Sequence, residues 1–387
     1  MATRIEVAVA HAPAADLRLV RQAALWGLLG AKMLGGLGVQ WDIRWHLLIG
    51  RDSFWIAPHL MTYAGVTIAA ALAFGVLGLE TLRARRGEPR RDGVRALGLV
   101  GTPGFHLAWW GMALTIVAAP VDDLWHRLFG VDVTLWSPPH LLGLAGAQVN
   151  TLGCLLIALE LWPRESRVRR AAFLAGGTLL LAAFYITVDP AIQTAFRRGG
   201  LFFFAWPMLG TLAFGFTLAL TSRLAPLRAT PLVLALGALA LHYVGIAVAD
   251  AGFALTQPTP AIEETIANYP DSPIAIAHEM ARRNAARPGR SVSLRVFPLL
   301  PAALMALVDA RRRPHAAALA FGLGLLVVSG MMFAGTPALN HALPTTTDLV
   351  AAAALTALAA LTAAAAARIL VDRFGQARSP VRARPGA

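Results

Sequence analysis

Apolar runs of about twenty residues recur along the whole chain, and short arginine clusters separate them. This pattern constrains the fold more than any other feature. A helix needs roughly 20 consecutive apolar residues to cross the hydrocarbon core of a bilayer. Inside lipid the backbone must satisfy its own polar groups, which leaves helices and closed barrels as the spanning structures. The runs lie near 20–41, 56–82, 96–119, 139–162, 171–189, 200–222, 231–254, 296–310, 315–336 and 347–370. The run at 296–310 is the shortest and contains Pro298 and Pro301. The chain is 57% apolar and 14% charged, against about 25% charged in soluble domains. The expected fold is all-α: a polytopic transmembrane helical bundle of about ten helices.

The arginines set the expected orientation. Arg83, Arg85, Arg86, Arg90, Arg91 and Arg95 fall in one connection, and Arg164, Arg167, Arg169 and Arg170 in another. Arg311–Arg313 form a third cluster, and Arg373, Arg378, Arg382 and Arg384 a fourth. Counting helices between them puts all four clusters on one side. Cationic loops belong on the cytoplasmic side, so both termini are expected there. The chain reads as a multi-pass protein of a bacterial inner (cytoplasmic) membrane. Connections 42–58, 121–138, 190–199, 255–295 and 337–346 then face outside. The segment 255–295 is long enough for a small domain or lid. The net charge of +13 does not indicate nucleic acid, because no basic face with interleaved aromatics is present. The single cysteine, Cys154, excludes disulfides and CxxC metal sites. The first residues lack the apolar stretch and cleavage site of a signal peptide.

Two connections resemble each other. WDIRWHLLIGRDSFWIAPHL begins at Trp41, and VDDLWHRLFGVDVTLWSPPHLL begins at Val121. Both give Asp, Trp-His, Gly, Asp, Trp, Pro-His and Leu in that order, with one extra residue before Trp136. Asp42 and His46 are four residues apart, as are Asp122 and His126. Positions i and i+4 share a helix face, so a carboxylate and an imidazole can address one ion. His59 and His140 each follow a proline, a residue suited to the first helical turn. If each connection folds back, the third residue meets the first two. Two imidazoles and one carboxylate with open positions suit copper, zinc or non-haem iron. A solvated helix end is the alternative for one such set, and repetition argues against it, since ionisable residues at membrane depth default to function. Asp52, Asp123 and Asp132 either orient the imidazoles or cap helices. Trp45, Trp125, Trp55 and Trp136 either wall the sites or form an interfacial belt.

At these residues the sequence resembles the C subunit of the copper membrane monooxygenases, the particulate methane and ammonia monooxygenases. That family carries Asp-x3-His-x12-His and then Asn-x3-His-x13-His between membrane helices. Asp42, His46 and His59 match the first spacing, and Asp122, His126 and His140 match the second, extra residue included. Trp45-His46 and Arg51-Asp52 fall where the ammonia-oxidising branch has the same pairs. The resemblance covers residues 20–165, and the second motif differs in opening with Asp122 instead of Asn. It implies copper at both triads and insertion of one oxygen atom from O₂ into an unactivated bond of an apolar substrate. It also implies a quinol or other small reductant, and further subunits or a homo-oligomer.

The chain thus divides into a cytoplasmic segment 1–19, a duplicated helix-pair region 20–165, an additional bundle 166–370 and a basic tail 371–387. Other polar residues carry weaker signals. His242 and Asp250 share a face of one span, either as a proton relay or as a buried hydrogen-bonding pair. His106 reads the same way, and Lys32 either pairs with a carboxylate or lines a polar cavity. Asp189-Pro190 ends a helix. Glu263, Glu264, Asp271, His278, Glu279 and His341 supply either a ligand or a solvated face. No Walker loop, GxGxxG or Ser-His-Asp arrangement is legible, and no catalytic side chain is assigned. The expected activity is a copper-dependent membrane oxidoreductase. Metal binding or transport, and a non-haem iron oxygenase with the same ligands, are the alternatives.

Overall fold

The computed structural model describes residues 15–50, 53–88, 93–129, 134–288 and 292–378. Asp52 and Asp132 lie outside the described residues. The helices are α1 (Ala15–Leu48), α2 (Ala57–Arg85), α3 (Pro103–Phe129), α4 (Pro138–Leu161), α5 (Arg167–Val188), α6 (Ala191–Arg198) and α7 (Ala205–Leu224). They continue with α8 (Thr230–Thr256), α9 (Ile262–Asn268), α10 (Pro273–Arg283), α11 (Leu299–Val308), α12 (Pro314–Ala334) and α13 (Thr346–Arg378). One short hairpin, β1 (Val94–Ala96) and β2 (Leu99–Gly101), precedes α3.

Each apolar run of the sequence coincides with a helix. Eight of these helices are long and apolar enough to cross a membrane. α1 falls outside those eight although it has 34 residues, about 50 Å of helix. Lys32, Gln40 and its glycines dilute its hydropathy. Two boundaries differ from expectation. The run expected to be helical from 96 begins as the hairpin, turning through Leu97 and Gly98 at positive φ, and Val100 N donates to Thr81 Oγ1 at 2.8 Å. Helix starts only at Pro103, where a missing N–H costs nothing. At the other end α1 and α3 run on to Leu48 and Phe129, into stretches expected to be connections.

α1–α2 and α3–α4 are antiparallel helical hairpins lying side by side. Their open ends are tied together. Arg21 Nε meets Glu80 Oε1 at 2.6 Å, Arg18 donates to the Leu161 carbonyl, and Gly104 N donates to Glu160 Oε1 at 2.7 Å. The two corners, where α1 gives way to α2 and α3 to α4, therefore lie at the opposite end. Following the helices onward puts the 163–166, 226–229 and 309–313 connections at the open end. α9 and α10 sit at the corner end, with Ala261 N donating to the Ile49 carbonyl at 2.7 Å.

The duplication extends into the packing. Gly65 and Gly146 each stand six residues after the last histidine of their triads. A Cβ on Gly65 would meet Gly35 N at 2.6 Å and the Ala31 carbonyl at 2.7 Å. A Cβ on Gly146 would meet the Gly111 carbonyl at 2.6 Å and Thr115 N at 2.7 Å. Ala31 and Gly35 precede Asp42 by the same offsets as Gly111 and Thr115 precede Asp122. Small residues at these four-residue intervals let the backbones approach closely. That approach fixes the distance between the two arms of each corner.

Candidate metal centre

The first corner brings its triad together. Asp42 and His46 lie one turn apart on the last turns of α1, and His59 opens α2 behind Pro58. His59 Nε2 is 3.1 Å from Asp42 Oδ1, and His46 Nε2 is 3.6 Å from the same oxygen. One ligand atom from each residue lies within 4.8 Å of the other two. Asp42 Oδ1 is buried, yet among the described residues it accepts no hydrogen bond of adequate geometry. Close approach without alignment is what atoms converging on a common point produce. The three side chains are only 20–22% exposed, so the site opens on one side.

The second corner repeats this more loosely. Asp122 Oδ2 lies 3.3 Å from His126 Nε2, and Oδ1 lies 3.5 Å from His140 Nε2. The two imidazoles face different oxygens of one carboxylate, and side-chain exposure rises to 27–34%. His140 Nδ1 stands 2.7 Å from the Thr134 carbonyl. A carbonyl can only accept, so Nδ1 carries the proton. In the neutral ring Nε2 is then a bare lone pair turned toward a carboxylate. That arrangement calls for a cation between them, a metal ion or a proton. A backbone carbonyl fixing the far nitrogen is the usual way a ligating histidine is oriented.

The surroundings divide the remaining candidates. Trp45 stacks on Phe253 of α8, with ring centroids 5.9 Å apart. It forms a small buried cluster with Trp41, Ile49 and Ala249, which packs α1 against α8 beside the first corner. Arg44, next in sequence, pairs with Asp250 at 2.8 Å and donates to the Ile246 carbonyl, bracing α1 against α8. Asp250 thus serves this brace. Trp125 packs on Phe129 at 4.3 Å. Trp136 is anchored through Nε1 to the Thr187 carbonyl at 2.7 Å, and Trp55 is 70% exposed. Asp123, expected to orient an imidazole or cap a helix, does neither. Its carboxylate meets Arg127 at 2.8 Å on the surface, because one residue along a helix turns the side chain about 100° away from Asp122.

The other polar residues among those described are engaged elsewhere. His278 Nε2 donates to the Leu47 carbonyl at 2.8 Å, capping α1 beside His46. Glu279 is held below the usual carboxylate range by its hydrogen bond from Arg283. His341 donates to the Phe196 carbonyl and His106 to the Val94 carbonyl. Asp189 accepts from Ser293 Oγ at 2.5 Å, and Ser293 in turn meets Tyr185 Oη. His242 lies against Tyr185 in a cavity that Arg44 and Asp189 also line. Lys32 donates to the Ala147 carbonyl. Sequence reasoning missed Thr134, Phe253 and the capping role of His278. The first and third act through backbone carbonyls, which residue type does not report.

No protein-family model, curated protein or solved structure matches this chain.

Proposed function

We propose that this multi-pass membrane protein holds metal ions at its two Asp-His-His corners and is a copper-dependent oxidoreductase. In this reading it oxidises an apolar substrate with O₂, as the monooxygenases that its motifs resemble do. The observation that carries the reading is the first corner, where one carboxylate oxygen and one nitrogen from each of two imidazoles converge within 4.8 Å. Imidazole nitrogens suit copper, and three protein ligands leave coordination positions open. Copper bound there supplies the redox chemistry that activates O₂.

The protein's own residues hold and shape the site. Asp42 compensates the ion's charge, and His46 and His59 fix it from the two arms of the corner. The Trp41–Trp45 cluster keeps water off one side. The apolar surroundings admit a substrate dissolved in the bilayer, and electrons come from a quinol or another small reductant. In this reading both termini are cytoplasmic and both corners face outside, as the positive-inside rule expects from the arginine clusters.

The test is elemental analysis and electron paramagnetic resonance of the full chain in lipid nanodiscs, followed by O₂ uptake with a reduced quinone. Copper with nitrogen hyperfine coupling, lost in His46→Ala and His126→Ala, is the expected result. Stoichiometric iron or zinc with no copper overturns the choice of metal. Copper binding without O₂ uptake, together with altered cellular copper content in the His46→Ala strain, assigns the corners to transport instead. A folded protein that binds no metal removes the proposal altogether.

A further inference from the structure

Lys32 is the only lysine in the chain. It sits at the middle of α1, with roughly 24 Å of helix on either side. At that depth its side chain cannot reach either interface. It lines a cavity of about 100 Å³ between α1, α2, α4 and α5. Gln40 is the only other polar side chain in that lining, and no ligand of either metal corner belongs to it. The amine donates to the Ala147 carbonyl, and no carboxylate lies within ion-pair distance of it among the described residues. An ammonium has three donors, and a buried cation without an anion is costly. Met33, 45% exposed, stands at the rim, so the cavity can be entered sideways from the bilayer.

We propose that this cavity is a binding site for a carboxylic acid with a long alkyl chain, whose carboxylate pairs with Lys32 Nζ. The acid supplies the anion that the protein does not. The first part of its chain fills the apolar lining, and the rest lies in the surrounding lipid. A phospholipid cannot place its headgroup at this depth, which favours a single-chain acid. The inference does not rest on the metal reading, since the two sites share no residue.

The test uses the full chain in nanodiscs, titrated with hexadecanoic acid and with methyl hexadecanoate and read by native mass spectrometry. The wild type is expected to hold one acid molecule at least about tenfold more tightly than the ester, as a charge-assisted contact requires. Lys32→Met should abolish the difference, and Lys32→Arg should keep part of it. Gly36→Leu provides an independent variant that keeps the lysine. Gly36 lines the cavity, and a Cβ there meets nothing within 4 Å, so leucine fills the space without disturbing helix packing. Acid binding should fall in this variant too. Equal binding of acid and ester by the wild type overturns the proposal. So does undiminished acid binding by Gly36→Leu or by folded Lys32→Met.

Discussion

At each corner both imidazoles face the same carboxylate, so Asp42 and Asp122 are the informative positions. Asn keeps the shape of Asp and removes its charge. Asp42→Asn is expected to lower metal affinity at the first corner at least about tenfold, a loss seen even for changes beyond the ligands themselves. Because the second triad is looser and more exposed, Asp122→Asn should remove the weaker class of sites and leave the tighter class in place. Competition titration with a chromophoric chelator reads both. Asp123→Ala is the control. Its exposed pair with Arg127 is worth about 0–1 kcal/mol, so affinity and Tm should stay at wild-type values. The two Asp-His-His groupings were legible because i,i+4 spacing and a Pro-His start are properties of residue order. The Thr134 carbonyl that orients His140 was not, since every residue type offers the same acceptor. Asp123 was misread because spacing to a ligand was weighed without its angular position on α3.

The arms of each corner are held at their separation by Gly65 and Gly146. Gly65→Ala would place its Cβ 2.6 Å from Gly35 N, and backbone on both sides leaves no flexible atom to yield. The α1–α2 hairpin must open, at a cost of about 1–3 kcal/mol, and His59 then moves away from Asp42. Metal affinity should fall at the first corner and stay unchanged at the second. Gly146→Ala should do the reverse. A purely structural role would lower Tm without this corner-selective loss. The run 96–102 was read as helix from its apolar character, but Leu97-Gly98 turns and Thr81 supplies a partner from a neighbouring helix. The α11–α12 connection makes a separate prediction. A hydrogen bond from Arg311 holds the Asp309 carboxyl at about 2, below its ordinary 3.8. A depressed carboxyl stabilises fully above its unfolded value and ceases to do so as pH falls through the folded one. Protection of the 307–313 amides, relative to their intrinsic exchange rate at each pH, should therefore fall only between pH about 4 and 2. Asp309→Asn should show the reduced protection already at neutral pH.

Across the whole molecule the two ends differ in kind. The arginines at 83–86, 164–170 and 311–313 lie at the end where Arg21 meets Glu80, and α13 returns Arg373 to that end, whereas Arg197, Arg198, Arg282 and Arg283 lie at the other. The two Asp-His-His corners, α9 and α10 occupy the other. Hydropathy and arginine placement made this polarity readable, because both reflect the solvent around each segment and need no tertiary detail. The small-residue contacts within each hairpin were not read in advance, since a glycine in an apolar run is equally consistent with lipid exposure and with close packing. The polarity predicts which residues an impermeant reagent reaches. The one natural cysteine, Cys154, is buried, so background labelling is low. Ser53 and Arg164 are both exposed, one at each end. Ser53→Cys should react with a membrane-impermeant maleimide in intact spheroplasts, whereas Arg164→Cys should react only after lysis. Labelling in the opposite order would put the corners in the cytoplasm. Cytoplasmic corners would take up metal from the intracellular pool, and the outer-face reading would have to be withdrawn even with both triads intact.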